Sequence, residues 1–177
     1  MPVQTLKDVL DAESVTYRCL VHPPGFTAQS LAHHCQVPAD QVAKTVIIEM
    51  DGSMAMLVLP ASFRIRWDRL ADVLNTDLIE LADEEDFRDR FPDCEVGAMP
   101  PFGNLFNMQV YCSETLTQQP EITFAAGSHT EAMQINMEDY LRLVKPIEIS
   151  RGFIRPGTKK PAWLSGKAAR SRKAKAG

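Results

Sequence analysis

Long apolar runs, paired cysteines and the common catalytic signatures are missing from this 177-residue sequence. Its longest apolar stretches, Val46 to Ile48 and Met54 to Pro60, fall far short of the roughly 18 residues of a membrane span. From Met1 to Asp8 no charged start leads into an apolar stretch, so no secretory signal is read there and a cytoplasmic location is expected. The four cysteines, Cys19, Cys35, Cys94 and Cys112, contain no CxxC pair. In a cytosolic chain they read as reduced, core-filling thiols. No Walker loop, dinucleotide fingerprint, HExxH or nucleophile elbow is present, which removes the usual support for the common cofactor classes. The remaining composition, 45% hydrophobic and 24% charged with 9 Gly and 12 Pro, excludes a wholly disordered, collagenous or low-complexity chain. At this length one domain is expected, large enough to bury a core without disulfides.

Acidic residues are also missing from one end. From Arg155 onward there are eight basic residues and no acidic one, while the other 11 basic residues face all 23 acidic ones. The overall −4 is therefore a body of −12 and a tail of +8. So acidic a body repels a polyanion over most of its surface, which confines any nucleic-acid contact to a local patch or to the tail. On composition alone the Lys/Arg/Ala/Gly/Ser end stays solvated and flexible.

Periodicity outlines a mixed α/β domain. Leu6, Val9 and Leu10 follow Thr5, a candidate cap, at helical spacing; Val15, Tyr17, Cys19 and Val21 alternate as a strand that ends at His22-Pro23-Pro24-Gly25. Thr27 can cap a helix with Ala28, Leu31, Ala32 and Cys35 on one face. Val42 to Met50 reads as a buried strand, and Asp51-Gly52 as a hairpin turn returning Ser53 to Leu59 antiparallel. A stripe of Trp67, Leu70, Val73 and Leu74, a short strand at 78–81 and an acidic helix with Phe87 and Phe91 precede a loop from Asp93 to Asn104. Phe106 to Cys112, Ile122 to Ala125 and Met133 to Ile135 suggest further strands, the last two separated by Gly127-Ser128-His129. Asn136 can cap a final helix ended by Pro146. The expected architecture is one domain over 1–153, a mixed and largely antiparallel sheet flanked by helices, followed by a basic tail over 154–177.

Three local features stand out. Lys44 interrupts an apolar approach to a buried strand; it either snorkels to water or holds an anion on a pocket floor. Gly97-Ala98-Met99-Pro100-Pro101-Phe102-Gly103 is stiffened by two prolines, so a bound oxyanion would have to use the amides of Gly97, Ala98, Met99, Phe102 or Gly103. The same stretch could be a plain connection. In Ala126-Gly127-Ser128-His129-Thr130 the histidine is either solvated or placed to hydrogen-bond a substrate or water. Ser128 and His129 point to opposite faces of a strand and make a poor catalytic pair. A zinc site from Cys19, His22, His33, His34 and Cys35 is disfavoured, since adjacent histidines on a helix point about 100° apart.

Taken in order, Ala43-Lys44-Thr45-Val46, the 97–103 loop and Ala126-Gly127-Ser128-His129 with Tyr140 to Pro146 downstream resemble the YbaK/prolyl-tRNA-synthetase-associated editing domains. The resemblance spans about residues 5–150 and includes His22 and the Asp51-Gly52 hairpin. It implies the YbaK-like fold and a free-standing deacylase that hydrolyses the ester between a mischarged amino acid and the terminal adenosine of a transfer RNA. No metal, cofactor or protein nucleophile is implied; a water and the ribose hydroxyl complete the reaction. Lys44 would hold the charged 3′ end, Gly97 and Ala98 would turn amides toward the ester carbonyl, and His129 would position substrate or water. His22, Thr45, Met99, Pro100, Pro101, Phe102, Gly103, Gly127 and Ser128 would complete the substrate pocket. The implied partners are the aminoacyl-tRNA 3′ end and an aminoacyl-tRNA synthetase, with no membrane and no DNA. Ala126 stands where some relatives carry serine, and Pro-Pro-Phe where others have Ser-Pro or Thr-Pro, so the amino acid removed stays open among alanine, serine, threonine and cysteine. Proline tRNA is the usual carrier.

Two other readings remain. A non-catalytic ligand- or RNA-binding regulatory module of the same fold would suit the acidic body. A cysteine or zinc enzyme would be recognised by metal content or by loss of activity on alkylating Cys94.

A deacylase with so acidic a body must place its phosphate contacts on Lys44, on arginines such as Arg64, Arg66 and Arg69, and on the tail. Deleting 155–177 is therefore expected to slow deacylation and flatten its salt dependence; an unchanged rate and slope would refute the RNA-holding arm.

Overall fold

The computed structural model describes residues 4–157, so the basic segment beyond Gly157 lies outside the described residues. The first helix, α1 (Gln4–Ala12), buries Leu6 and Leu10 one turn apart. It already contains Thr5, which is therefore not its cap. Strand β1 (Tyr17–Val21) and helix α2 (Ala28–Cys35) follow, and the Thr27 side chain caps α2 by accepting from the Ser30 amide at 3.0 Å.

Strands β2 (Ala43–Met50) and β3 (Ser53–Pro60) form the hairpin its turn residues demand, with Asp51 at φ 50° and Gly52 at φ 86°. β3 is the middle of a five-stranded sheet, ordered β5-β2-β3-β6-β9, completed by β5 (Ile79–Leu81), β6 (Gln109–Ser113) and β9 (Ile147–Ile149). Both faces of β3 are covered, which explains its near-continuous apolar run. Met56 and Val58 enter the main core, while Ala55 and Leu57 face Leu70, Ile79 and Ile149 on the other side. A second, antiparallel sheet has the order β1-β8-β7, from β7 (Glu121–Ser128) and β8 (Glu131–Asn136), and a parallel bridge between Val42 and Thr123 ties it to the first. A two-stranded ribbon pairs β4 (Arg64–Ile65) with β10 (Phe153–Ile154). Helices α3 (Trp67–Val73), α4 (Glu84–Phe87), α5 (Glu114–Thr117) and α6 (Met137–Val144) flank these sheets.

Three local expectations change. Phe106 closes a 3₁₀ turn over Gly103–Phe106, with Asn107 left-handed at φ 59°, so the strand begins only at Gln109. Gly127 and Ser128 belong to β7, because pairing with β8 resumes at Ser128 after a register break; the turn is only His129-Thr130. Asn136 occupies the cap position of α6, but its side chain makes no capping bond.

The main core lies between the two larger sheets and swallows part of the 97–103 loop. Phe102 is fully buried, edge-on to Phe124 at 5.3 Å and to Tyr140 at 5.5 Å. The Tyr140 hydroxyl donates to the Pro101 carbonyl at 2.8 Å. Gly103 lies so close to β6 that an added Cβ would sit 2.6 Å from Val110 Cγ2 and 2.8 Å from the Met108 carbonyl oxygen. A backbone oxygen cannot retreat as a side chain can. Gly103→Ala is therefore expected to cost about 1–3 kcal/mol, read as a lower denaturant midpoint; an unchanged midpoint would show that the loop relaxes freely.

Candidate active site

One cleft of about 370 Å³ gathers residues from four places: the 22–28 loop and start of α2, the start of β2, the 61–64 connection, and the 97–99 loop with the end of β7. Of the site residues expected from sequence, His22, Lys44, Thr45, Gly97, Met99, Ser128 and His129 line it. Ala98, Pro100, Pro101, Phe102, Gly103 and Gly127 do not, and each has a physical reason to be elsewhere. Pro100 and Pro101 are buried beside Phe102 in the core, and Gly103 is pressed on β6. The Ala98 amide donates to the Glu95 carbonyl at 3.0 Å and the Phe102 amide to Pro100 at 2.8 Å, so neither is free for an oxyanion. Gly127 works from behind the wall: its amide donates to Ala98 at 2.9 Å and its carbonyl accepts from Glu95 at 2.8 Å.

Gly97 lines the cleft with its amide given to no backbone acceptor among the described residues. Its residue is exposed, left-handed at φ 86°, and its amide points at the Met99 thioether 3.3 Å away. Thioether sulfur is a weak acceptor, so a carbonyl oxygen or oxyanion would displace it at little cost.

His129 faces the same spot. Its backbone amide donates to Glu95 Oε2 at 2.7 Å, and Nε2 lies 2.9 Å from the Val96 carbonyl. A carbonyl only accepts, so Nε2 carries the proton and a neutral ring keeps its lone pair on Nδ1. Ser128 Oγ is 3.3 Å from Thr130 Oγ1 and does not pair with this ring.

Another part of the lining is cationic. Lys44 is half-buried, and its ammonium is held below the ordinary lysine pKa, first by loss of solvent and second by the like charge of Arg64. Among the described residues no acidic side chain lines the cleft, and neither Lys44 nor Arg64 has a carboxylate within ion-pair distance. Arg66, in contrast, is neutralised by Asp68 at 2.8 Å. Two neighbouring cations without a counter-charge form a receptor for an anion.

Cys94 lies outside the lining, and burial with the charge of Asp93 pushes its thiol up to about 11, which leaves almost no thiolate near neutrality. The His22 and His34 rings stack at 6.0 Å, yet among the described residues no three histidine, cysteine or acidic side chains converge as metal ligands. Phe26 and Phe63 also line the cleft and were not singled out from sequence. The available signal was one aromatic between Pro23-Pro24-Gly25 and the cap Thr27, where a turn has no core to fill.

Fold and cleft define a mixed α/β domain whose pocket brings two cations, a glycine amide and an oriented histidine together. The aminoacyl-tRNA editing domain profile matches residues 22–143, well over half of the chain, and the chain belongs to that family. None of the curated proteins matches it. Among solved structures, the hypothetical protein APE2540 is similar at TM-score 0.72 and 16% identity, covering 82% of this chain and 97% of its own. A protein named as a candidate trans-editing enzyme for prolyl tRNA synthetase is similar at TM-score 0.72 and 16% identity, with coverage of 83% and 94%. A candidate signal transduction protein from Marinobacter aquaeolei VT8 reaches TM-score 0.66 at 10% identity, covering 85% of this chain and 30% of its own. At these identities the likeness is one of fold. Among the described residues no helix is long and apolar enough to cross a membrane.

The Lys44 and Arg64 pairing has a direct spectroscopic consequence. Burial and Arg64 both disfavour the charged ammonium, so anion affinity should fall with rising pH earlier than for an ordinary lysine. In Arg64→Gln the smaller of the two causes is gone, and the Lys44 midpoint should rise toward, without reaching, the ordinary value. Carbon-13 NMR of labelled lysine side chains, assigned against Lys44→Ala, measures it; an unmoved midpoint would mean that the two charges do not interact.

Proposed function

We propose that this domain is an aminoacyl-tRNA deacylase acting in trans, removing a small amino acid from a mischarged transfer RNA, with proline tRNA as carrier. The observation that carries the reading is that one small cleft gathers two cations, Lys44 and Arg64, with no acidic residue in its described lining, and a donor and acceptor pair, Gly97 N–H and His129 Nδ1. The substrate has the matching parts: a phosphate-bearing 3′ end for the cations and an ester carbonyl for the amide.

The chemistry follows from those positions. Water attacks the ester carbon, and its π electrons move to the carbonyl oxygen, where the Gly97 amide stabilises the developing charge. His129 Nδ1 accepts a hydrogen bond from the attacking water and orients it. Collapse breaks the bond to the ribose oxygen, which leaves as a hydroxyl on taking the water's proton through the neighbouring ribose hydroxyl. The products are the free amino acid and an uncharged RNA end. None of these steps needs a protein nucleophile, consistent with the exclusion of Cys94 from the cleft and the lack of a Ser128–His129 bond. Residues 158–177 extend the reading as an RNA-holding arm. Because Arg155 itself pairs with Asp40 at 3.0 Å, truncation after Gly157 tests the arm more cleanly than truncation at 155.

The test is hydrolysis of transfer RNAs charged with alanine, serine, threonine or cysteine, in chelator, by the native protein and by Lys44→Ala. At least one ester should be cleaved well above the buffer rate, and Lys44→Ala should lower kcat/KM by on the order of 10². If no ester is cleaved faster than in buffer, the domain is a binding module and not an enzyme.

A further inference from the structure

Phe26 is 74% exposed, yet it does not stand on a loose loop. The residues before it are Pro23, Pro24 and Gly25; the His22 amide donates to the Thr130 carbonyl at 2.9 Å and the Gly25 amide to the His129 carbonyl at 3.0 Å. Immediately after it, Thr27 caps α2. The ring is thus presented on a braced support with one edge against the His129 imidazole, 4.7 Å between centroids and tilted by 50°, and the rest open to the cleft. A lone exposed aromatic is ordinary on a surface. An aromatic held rigidly in the lining of a cleft that also holds Lys44 and Arg64 and, among the described residues, no acidic one is a different arrangement, because a flat apolar face in the same cleft as uncompensated cations fits an unstacked nucleobase whose phosphate the cations hold.

Resting on the deacylase reading of the same cleft, we propose that Phe26 is the stacking platform for the terminal nucleobase of the RNA. The base lies on the Phe26 ring, its phosphate meets Lys44 and Arg64, and the ester linkage then falls between Gly97 and His129. Phe26 is a positioning residue: it sets where the ester lies and takes no part in bond making. The braced loop matters energetically, since a platform ordered before binding has little conformational freedom left to lose.

The experiment compares Phe26→Leu and Phe26→Trp with the native protein, with two readouts. Leucine keeps apolar packing against His129 but lacks an aromatic face; tryptophan keeps the face. In deacylation of mischarged transfer RNA, Phe26→Leu should raise KM by about tenfold while kcat changes far less, and Phe26→Trp should restore KM. In fluorescence, the Phe26→Trp protein should show quenching by a CCA trinucleotide beyond that of the native protein, which carries Trp67 and Trp163. If leucine leaves KM at the native value, the ring only packs against His129 and the platform is refuted. The two readings fail separately. Absence of hydrolysis by the native protein together with extra quenching by CCA would overturn the deacylase and support the platform; hydrolysis with a normal KM in Phe26→Leu would do the reverse.

Discussion

Everything in the cleft is referred to a short backbone clamp between residues 95–98 and the end of β7. Glu95 donates to the Gly127 carbonyl, Gly127 donates to Ala98, the His129 amide donates to the Glu95 carboxylate, and the His129 ring donates to Val96. The clamp exists because β7 leaves register with β8 between Ala125 and Ser128. A bulge of this kind turns backbone groups away from the ladder and re-aims the following side chain. Gly127, at φ 97°, supplies the conformation that a residue with a Cβ would adopt only under strain. With both of its polar backbone groups committed, the two walls move as one unit, so the Gly97 amide and the His129 ring keep a fixed relation. Such preorganisation is what an oxyanion-stabilising donor requires.

The second constraint is electrostatic and is set by what the fold keeps out. The body is strongly acidic, yet three of its carboxylates are engaged by groups other than Lys44 and Arg64: Asp40 by Arg155 and Ser62, Asp68 by Arg66, and Glu95 by the His129 amide. Lys44 and Arg64 are left with each other. Their repulsion disfavours the unliganded cleft, and an arriving phosphate relieves it. The negative surround itself repels a polyanion from most of the molecule.

How far the sequence exposes this arrangement depends on whether a signal is local. Asp51-Gly52 and Thr27 act through their own backbone and neighbouring amides, so the hairpin and the helix cap are legible before any fold is known. Lys44, Gly97 and His129 each stand out as an oddity in their own stretch, and all three meet in the cleft. Contiguity is what misleads. Ala98 to Gly103 follow Gly97 in the chain, but hydrophobic burial governs them: Phe102 is drawn between Phe124 and Tyr140, residues that only tertiary packing brings to it. Gly127-Ser128 has the composition of a turn, and cross-strand pairing with β8 overrides it. Phe26 leaves only a faint local signal, an aromatic in a turn with no core to fill, and Arg64 is separated from Arg66 and Arg69 only by the cleft it shares with Lys44.

The width of the cleft is decided outside it. Lys44 and Thr45 belong to β2 and the five-stranded sheet, whereas Ser128 and His129 extend from the three-stranded one. Between these sheets the described strands share one bridge, Val42 to Thr123, two residues before Lys44 on one side and five before Ser128 on the other. Thr123 is fully buried, and its hydroxyl accepts from Gln134 at 3.0 Å, which pins the bridge from β8. Beyond it the separation is maintained by Met56 and Val58 of one sheet against Ile122 and Phe124 of the other. Close-packed interiors transmit a lost methylene as a shift of their neighbours. A shift of about an ångström there would change the distance from Lys44 to the Gly97 amide, and with it the spacing on which the proposed reaction depends. The core is in this sense part of the site, since the packing of the two sheets sets the spacing of the side chains that line the cleft.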